Sequence, residues 1–93
     1  MSQPLLTLEL LGTKGCHLCE VAERMVRRLA PEAGVQIQYV DIADDAALVE
    51  QFGMSIPVLR VANGGAVSED LGWPFTEDDF LGWAQAAHSH IQQ

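Results

Sequence analysis

Two adjacent stretches constrain the fold more than any other feature. Residues 5–11, LLTLELL, form a short, nearly continuous apolar run closed by Gly12. That pattern suits a buried β-strand. A few residues later the period changes. Leu18, Val21, Ala22, Met25, Val26 and Leu29 recur at i, i+3, i+4 and i+7, which is one apolar stripe of a helix. Pro31 and Gly34 are the expected stop.

The alternation continues down the chain. VQIQYVDI, 35–42, reads as a strand whose second half is apolar on both faces, as in a central strand. Asp44 or Asp45 can cap a second helix, AALVEQF, with Gly53 as its C′ residue. Val58, Leu59 and Val61 mark a third strand. Asn63-Gly64-Gly65 predicts a type I′ hairpin turn, and a fourth strand follows at 66–71. Thr76 with Asp79 forms a capping box for a last helix, whose inner face is Phe80, Trp83, Ala84, Ala87 and Ile91. The order β-α-β-α-β-β-α implies an α/β sandwich of three layers. Its four-stranded sheet should be mixed, with helices on both faces. Helical crossovers predict parallel pairing, and the hairpin makes the last pair antiparallel.

Ninety-three residues suffice for one domain, 1–93. No apolar run approaches the roughly 20 residues of a membrane helix, and the first dozen residues lack a secretory pattern. A cytoplasmic protein is therefore expected. Its net charge of −8 argues against nucleic acid or an anionic membrane as partner. Arg24, Arg27 and Arg28 cluster on the first helix. Two of them follow Glu20 and Glu23 by four residues, a spacing for helix-stabilising pairs rather than a docking patch.

Both cysteines, Cys16 and Cys19, fall at the strand–helix junction in GTKGCHLC. In a reducing compartment such a pair reads as catalytic or metal-binding before it reads as a structural staple. Cys16 lies at the helix N-terminus, outside the apolar stripe, and Cys19 lies on the stripe's flank. Unpaired amides and the helix dipole favour a thiolate at Cys16, with Lys14 and protonated His17 adding to the effect. Cys16 can then attack a disulfide, and the sheltered Cys19 can resolve the intermediate. The competing readings are a metal site, a cluster shared between two chains, and two inert thiols. A closed zinc site needs about four ligands, and a second C-x-x-C is missing. His88 and His90 share no helix face and read as a frayed tail. Pro57 begins the third strand, either as a cis residue that turns the backbone sharply or as an ordinary trans one.

Taken together, GCHLC after the first strand, SIPVL with Pro57 placed 38 residues beyond Cys19, and a hairpin before a final helix resemble a glutaredoxin-like protein of the thioredoxin fold. The resemblance covers essentially the whole chain. It implies a thiol–disulfide oxidoreductase with Cys16 as nucleophile and Cys19 as resolving thiol. Pro57 is then cis beside the nucleophile, and the backbone of Ile56 pairs with the bound substrate. Lys14 and Trp73 join Ile56 and Pro57 as expected substrate contacts. No bound cofactor or metal is expected. The implied partners are a disulfide-containing protein and a reductant, either glutathione or a thioredoxin-reductase type of enzyme, and the chain is expected to be a monomer.

Three departures bear on glutathione. His17-Leu18 stands where glutathione-using members carry Pro-Tyr. Thr13 stands where they often have a basic residue. GWPFTED, 72–78, replaces their Gly-Gly and following Asp, and the chain's own Gly64-Gly65 falls in the hairpin. Trp73 and Phe75 occupy that region as edge-of-core aromatics or as an apolar wall for a protein substrate. The alternative function is a non-catalytic thioredoxin-fold binding module, or a carrier of an iron–sulfur cluster between subunits.

Overall fold

The computed structural model describes residues 6–62 and 70–91, with side chains described as far as Ser89. Strand β1 (Leu6–Gly12) leads to helix α1 (His17–Ala33) and strand β2 (Val35–Asp41). A 3₁₀ turn (Ile42–Asp44) precedes helix α2 (Ala46–Phe52). Strands β3 (Val58–Val61) and β4 (Leu71–Gly72) and helix α3 (Glu77–Ile91) complete the chain. The Asn63-Gly64-Gly65 turn and most of the expected fourth strand lie outside the described residues.

The four strands are ordered β2-β1-β3-β4. β1 and β2 run parallel, with Leu6 opposite Val35 and Gly12 opposite Asp41. β3 runs antiparallel to both β1 and β4, with Leu11 opposite Val58 and Val58 opposite Gly72. The sheet is therefore mixed, as expected, but two expectations are corrected. β2 is an edge strand rather than a central one. β3 is antiparallel to its neighbour β1, although a helix separates it from β2. The cause is the length of α2. Seven helical residues rise about 10 Å, whereas the seven of β2 span about 23 Å. The short helix leaves the chain at the end of the sheet where β2 finished, so β3 has to run back.

Alternation along the strands sorts two cores. Leu6, Leu8 and Leu10 of β1 pack with Ala22, Val26, Leu29 and Ala30 of α1 and Phe80, Ala84 and Ala87 of α3. On the other face Leu11, Ile42, Val58 and Phe52 of α2 make a smaller core. The first helix corrects the expected stripe by one position. Cys19 is fully buried and belongs to it, whereas Leu18 is 48% exposed. Pro31 does not stop α1, because a last turn can forgo one amide bond; the helix ends at Gly34, whose φ of 70° is the left-handed cap. Gly53, expected to play the same part for α2, has φ −55° and stays right-handed. Asp45 caps α2 by accepting from the amides of Ala47 and Leu48. Thr76 and Asp79 exchange the two bonds of the capping box.

The arginine cluster is partly as expected. Arg27 pairs with Glu23 at 2.8 Å and also donates to the Ile37 carbonyl, and Arg28 reaches Glu77 on α3. Among the described residues Glu20 and Arg24 form no ion pair. Glu20 faces His17 instead, at 4.0 Å. His88 is not in a frayed tail. Its Nε2–H donates to the carbonyls of Ala33 and Gly34 at 3.0 and 3.1 Å, tying α3 to the C-terminus of α1.

Candidate functional site

A tight turn delivers the first cysteine. The Cys16 amide donates to the Thr13 carbonyl at 3.4 Å, and Gly15 at the third turn position has φ 79°. A left-handed residue there is what a type II turn requires, and glycine takes it without a Cβ clash. Cys16 emerges as the N-cap of α1, with extended backbone (φ −86°, ψ 106°), and its carbonyl accepts the first helical bond from Glu20.

At that cap the sulfur does what a serine hydroxyl does elsewhere. Cys16 Sγ accepts the amide hydrogen of Cys19, the third helical residue, at 3.2 Å. The sulfurs of Cys16 and Cys19 are joined in a disulfide, with Cα atoms 5.2 Å apart, inside the range such a bond spans. The pair is asymmetric. Cys16 is half-buried, and Cys19 has no exposed surface. One sulfur can meet a macromolecular disulfide, and the other can meet only its neighbour.

The end of the sheet beneath the pair is set by register. One step past the Leu11–Val58 pair, Pro57 falls opposite Gly12. The Trp73 amide donates to the Pro57 carbonyl at 3.1 Å, extending the row to the far edge. A Cβ on Gly12 would stand 3.0 Å from both Cβ and Sγ of Cys19. Gly12 thus lies directly under the buried cysteine, with Asp41 on one side and Pro57 then Trp73 on the other. The Ile56–Pro57 and Trp73–Pro74 peptides are both cis.

The remaining expected residues fall as follows. Pro57 is fully buried and Ile56 half-buried. The Ile56 amide is already bonded to the Phe52 carbonyl at 3.1 Å, while among the described residues no donor reaches the Ile56 carbonyl. Lys14 and His17 are exposed, on the loop before Cys16 and just after it. Trp73 is half-buried against the main core, and its ring meets Phe75 edge-on at 5.1 Å. Phe75 itself is core. Leu18, between the cysteines, and Met54, just before the Ser55-Ile56-Pro57 segment, are exposed apolar side chains. Among the described residues no group of three or more His, Cys, Asp or Glu side chains is placed to hold a metal ion, and no helix is long and apolar enough to cross a membrane.

One neighbour of the site was missed by sequence reasoning. Tyr39 of β2 donates its hydroxyl hydrogen to the Thr13 carbonyl at 3.0 Å, the same oxygen that holds the Cys16 turn. Its own acidity is weakened, first by burial and then by the carboxylates of Glu23, Asp41 and Glu20, so its pKa lies above 10.0. A signal was present in the sequence. Tyr39 is the only tyrosine, and it follows the first strand's closing glycine by one helix and one strand.

The family model of the glutaredoxin-like domain (DUF836) matches residues 7–83. The fold is similar to the X-ray structure of protein XcR50 from X. campestris. The two chains are 35% identical, with a TM-score of 0.70 over 85% of this chain and 96% of that one. Protein Ne2328 from Nitrosomonas europaea is 21% identical with a TM-score of 0.72, over 89% and 94% of the two chains. Thioredoxin 1 from Thermosipho africanus is 10% identical with a TM-score of 0.68, over 94% and 99%. The last two likenesses concern the fold alone, which is thioredoxin-like. No curated protein matches the chain.

Proposed function

The chain belongs to the glutaredoxin-like domain family, and from that premise we propose that it is a thiol–disulfide oxidoreductase that reduces protein or glutathione mixed disulfides through Cys16 and Cys19. A C-x-x-C pair on this fold supports a redox function. The observation that carries the finer reading is the Cys19 amide aimed at Cys16 Sγ from the first turn of α1. In the reduced protein that amide and the helix dipole favour the thiolate of Cys16 over its thiol.

The reaction runs in two displacements. Cys16 thiolate attacks one sulfur of the target disulfide; that S–S bond breaks and the departing thiolate takes a proton from water. Cys19 then loses its proton and attacks Cys16 Sγ. The Cys16–Cys19 disulfide forms, and the second target sulfur leaves as a thiolate that is protonated in turn. The target gains two electrons and the protein dithiol loses them. An external thiol, glutathione or a reductase, restores the dithiol. Lys14 and His17 add positive charge beside Cys16 when protonated.

An extended protein segment fits the surroundings better than glutathione does. Leu18 and Met54 offer exposed apolar surface, Trp73 and Pro57 share a backbone bond at the rim, and the Ile56 carbonyl is open to a substrate amide in the manner of an added strand. The compartment this chemistry suits is a reducing cytoplasm. Alkylation of the reduced protein across pH tests the reading. A reactivity midpoint for Cys16 below the free-thiol value of about 8.5 supports it. A midpoint at or above that value, with no reduction of a model protein disulfide, overturns it. So would a visible chromophore from an iron–sulfur cluster in place of exchange activity.

A further inference from the structure

The buried half of the dithiol presents a chemical problem. Cys19 has no access to water, yet in the reduced protein it carries a polar S–H, and that proton must leave before the sulfur can attack. A buried thiol without a partner is held less well than one with a partner. The structure brings one hydroxyl and this sulfur to the same point above Gly12. Gly12 carries no Cβ, and the space a Cβ would take is already held by neighbouring atoms. A Cβ there would collide with the Tyr39 hydroxyl and press within 3.0 Å of Cys19 Sγ. Both groups therefore crowd the same point above Gly12.

The geometry of the hydroxyl fits the role of acceptor. Its hydrogen is committed to the Thr13 carbonyl, so its lone pairs are what remain for a neighbour. It stays protonated at neutral pH, with burial and the facing carboxylates of Glu20 and Glu23 on α1 and Asp41 on β2 all holding the proton on.

We propose that Tyr39 is a positioning residue for the dithiol. In the reduced protein its hydroxyl oxygen accepts the Cys19 S–H hydrogen bond while its own O–H holds the Thr13 carbonyl that anchors the Cys16 turn. One side chain thereby touches the supports of both sulfurs. The contact exists only in the dithiol form, because the disulfide has no S–H to give. It therefore stabilises the dithiol relative to the disulfide, and it turns the Cys19 lone pairs toward Cys16. This rests on the thiol–disulfide reading above for its purpose, though not for its geometry.

Two measurements test it. The first compares wild type with Tyr39→Phe, which keeps the ring and removes only the oxygen, in graded glutathione buffers with mass spectrometry as readout. The dithiol–disulfide equilibrium should move toward disulfide by about two- to tenfold, the weight of one net hydrogen bond. The second follows Tyr39 ionisation in the wild type by ultraviolet absorbance, unambiguous because the chain has one tyrosine. The midpoint should differ between the oxidised and reduced proteins, because only the reduced one sets a titratable Cys19 sulfur against the phenol oxygen. A purely structural bond to Thr13 would leave the reduced protein's midpoint unchanged by Cys19→Ala, which keeps the Cys16 thiolate. An unchanged equilibrium in Tyr39→Phe together with an unchanged midpoint overturns the proposal. If the midpoint moves with thiol state but the wild type reduces no disulfide, the enzymatic reading falls and the contact stands.

Discussion

The two ends of helix α1 solve the same physical problem in opposite ways. Each end leaves backbone groups without helical partners. At the C-terminal end they are closed off. Gly34 takes the left-handed conformation and its amide reaches the Ala30 and Pro31 carbonyls, while His88 clamps the carbonyls of Ala33 and Gly34 from α3. At the N-terminal end the capping atom is a sulfur, half open to solvent, with a second sulfur buried behind it. The closed end fixes where the helix sits. The open end keeps a half-buried sulfur at the cap, the group on which the proposed exchange turns. Stability and reactivity are thus separated by the length of one helix, and substitutions at the two ends should separate them experimentally.

The largest effect belongs to Cys16→Ser. Serine is itself a preferred N-cap, so the reduced variant should melt close to the reduced wild type, while disulfide reduction falls to background. Loss of fold together with loss of activity would mean that the sulfur is chiefly structural. Gly12→Ala comes next and should strike both properties at once. The added methyl meets the Tyr39 hydroxyl and Cys19 with no room to spare. Overpacking of this kind costs about 1–3 kcal/mol, and about 4–8 °C of melting temperature accompanies each kcal/mol in a domain this small. The rate of disulfide exchange should fall as well, because the methyl displaces Cys19 itself. A variant with wild-type exchange kinetics would show that the space above Gly12 is not part of the site.

Much of the open end was legible in the sequence, and less of the closed end. A C-x-x-C between an apolar run and a helical stripe is local, and so are Asp45 before Ala46–Phe52 and Thr76 with Asp79. In each case a residue's chemistry acts on amides two or three positions away, and the structure forms the caps as the sequence implies. What failed was what depends on distant partners. His88 bonds to carbonyls more than fifty positions earlier, and nothing in HSH betrays that acceptor. The direction of β3 depends on whether a short helix can carry the chain back along the sheet, a matter of length in space rather than pattern. Cys19 looked like a flanking residue because Leu18 is the more hydrophobic of the two, but the helix turned the small sulfur inward onto Gly12 and left the leucine outside. Tyr39 read as strand filling because its place near Cys19 depends on a glycine on another strand having no Cβ.

The closed end supplies the smaller effects and the sharper control. Gly34→Ala forces a Cβ into left-handed backbone at about 1–2 kcal/mol and sets it 3.3 Å from His88 Nε2, so the melting temperature should drop by several degrees. His88→Ala should cost less, about 0.5–1.5 kcal/mol for the net hydrogen bonding it removes, since water can reach helix-end carbonyls that a side chain vacates. The two substitutions act on the same few atoms, so their costs should not add. With the ring gone, the alanine at position 34 has nothing to press against, and the double variant should be more stable than the sum of the singles predicts. Neither should alter the alkylation midpoint of Cys16 or the dithiol–disulfide equilibrium. Thermal melts of the four proteins alongside those two chemical readouts decide the matter. A change in Cys16 reactivity from either substitution would show that the clamp sets the geometry of the far cap, and that α1 transmits what happens at one end to the other.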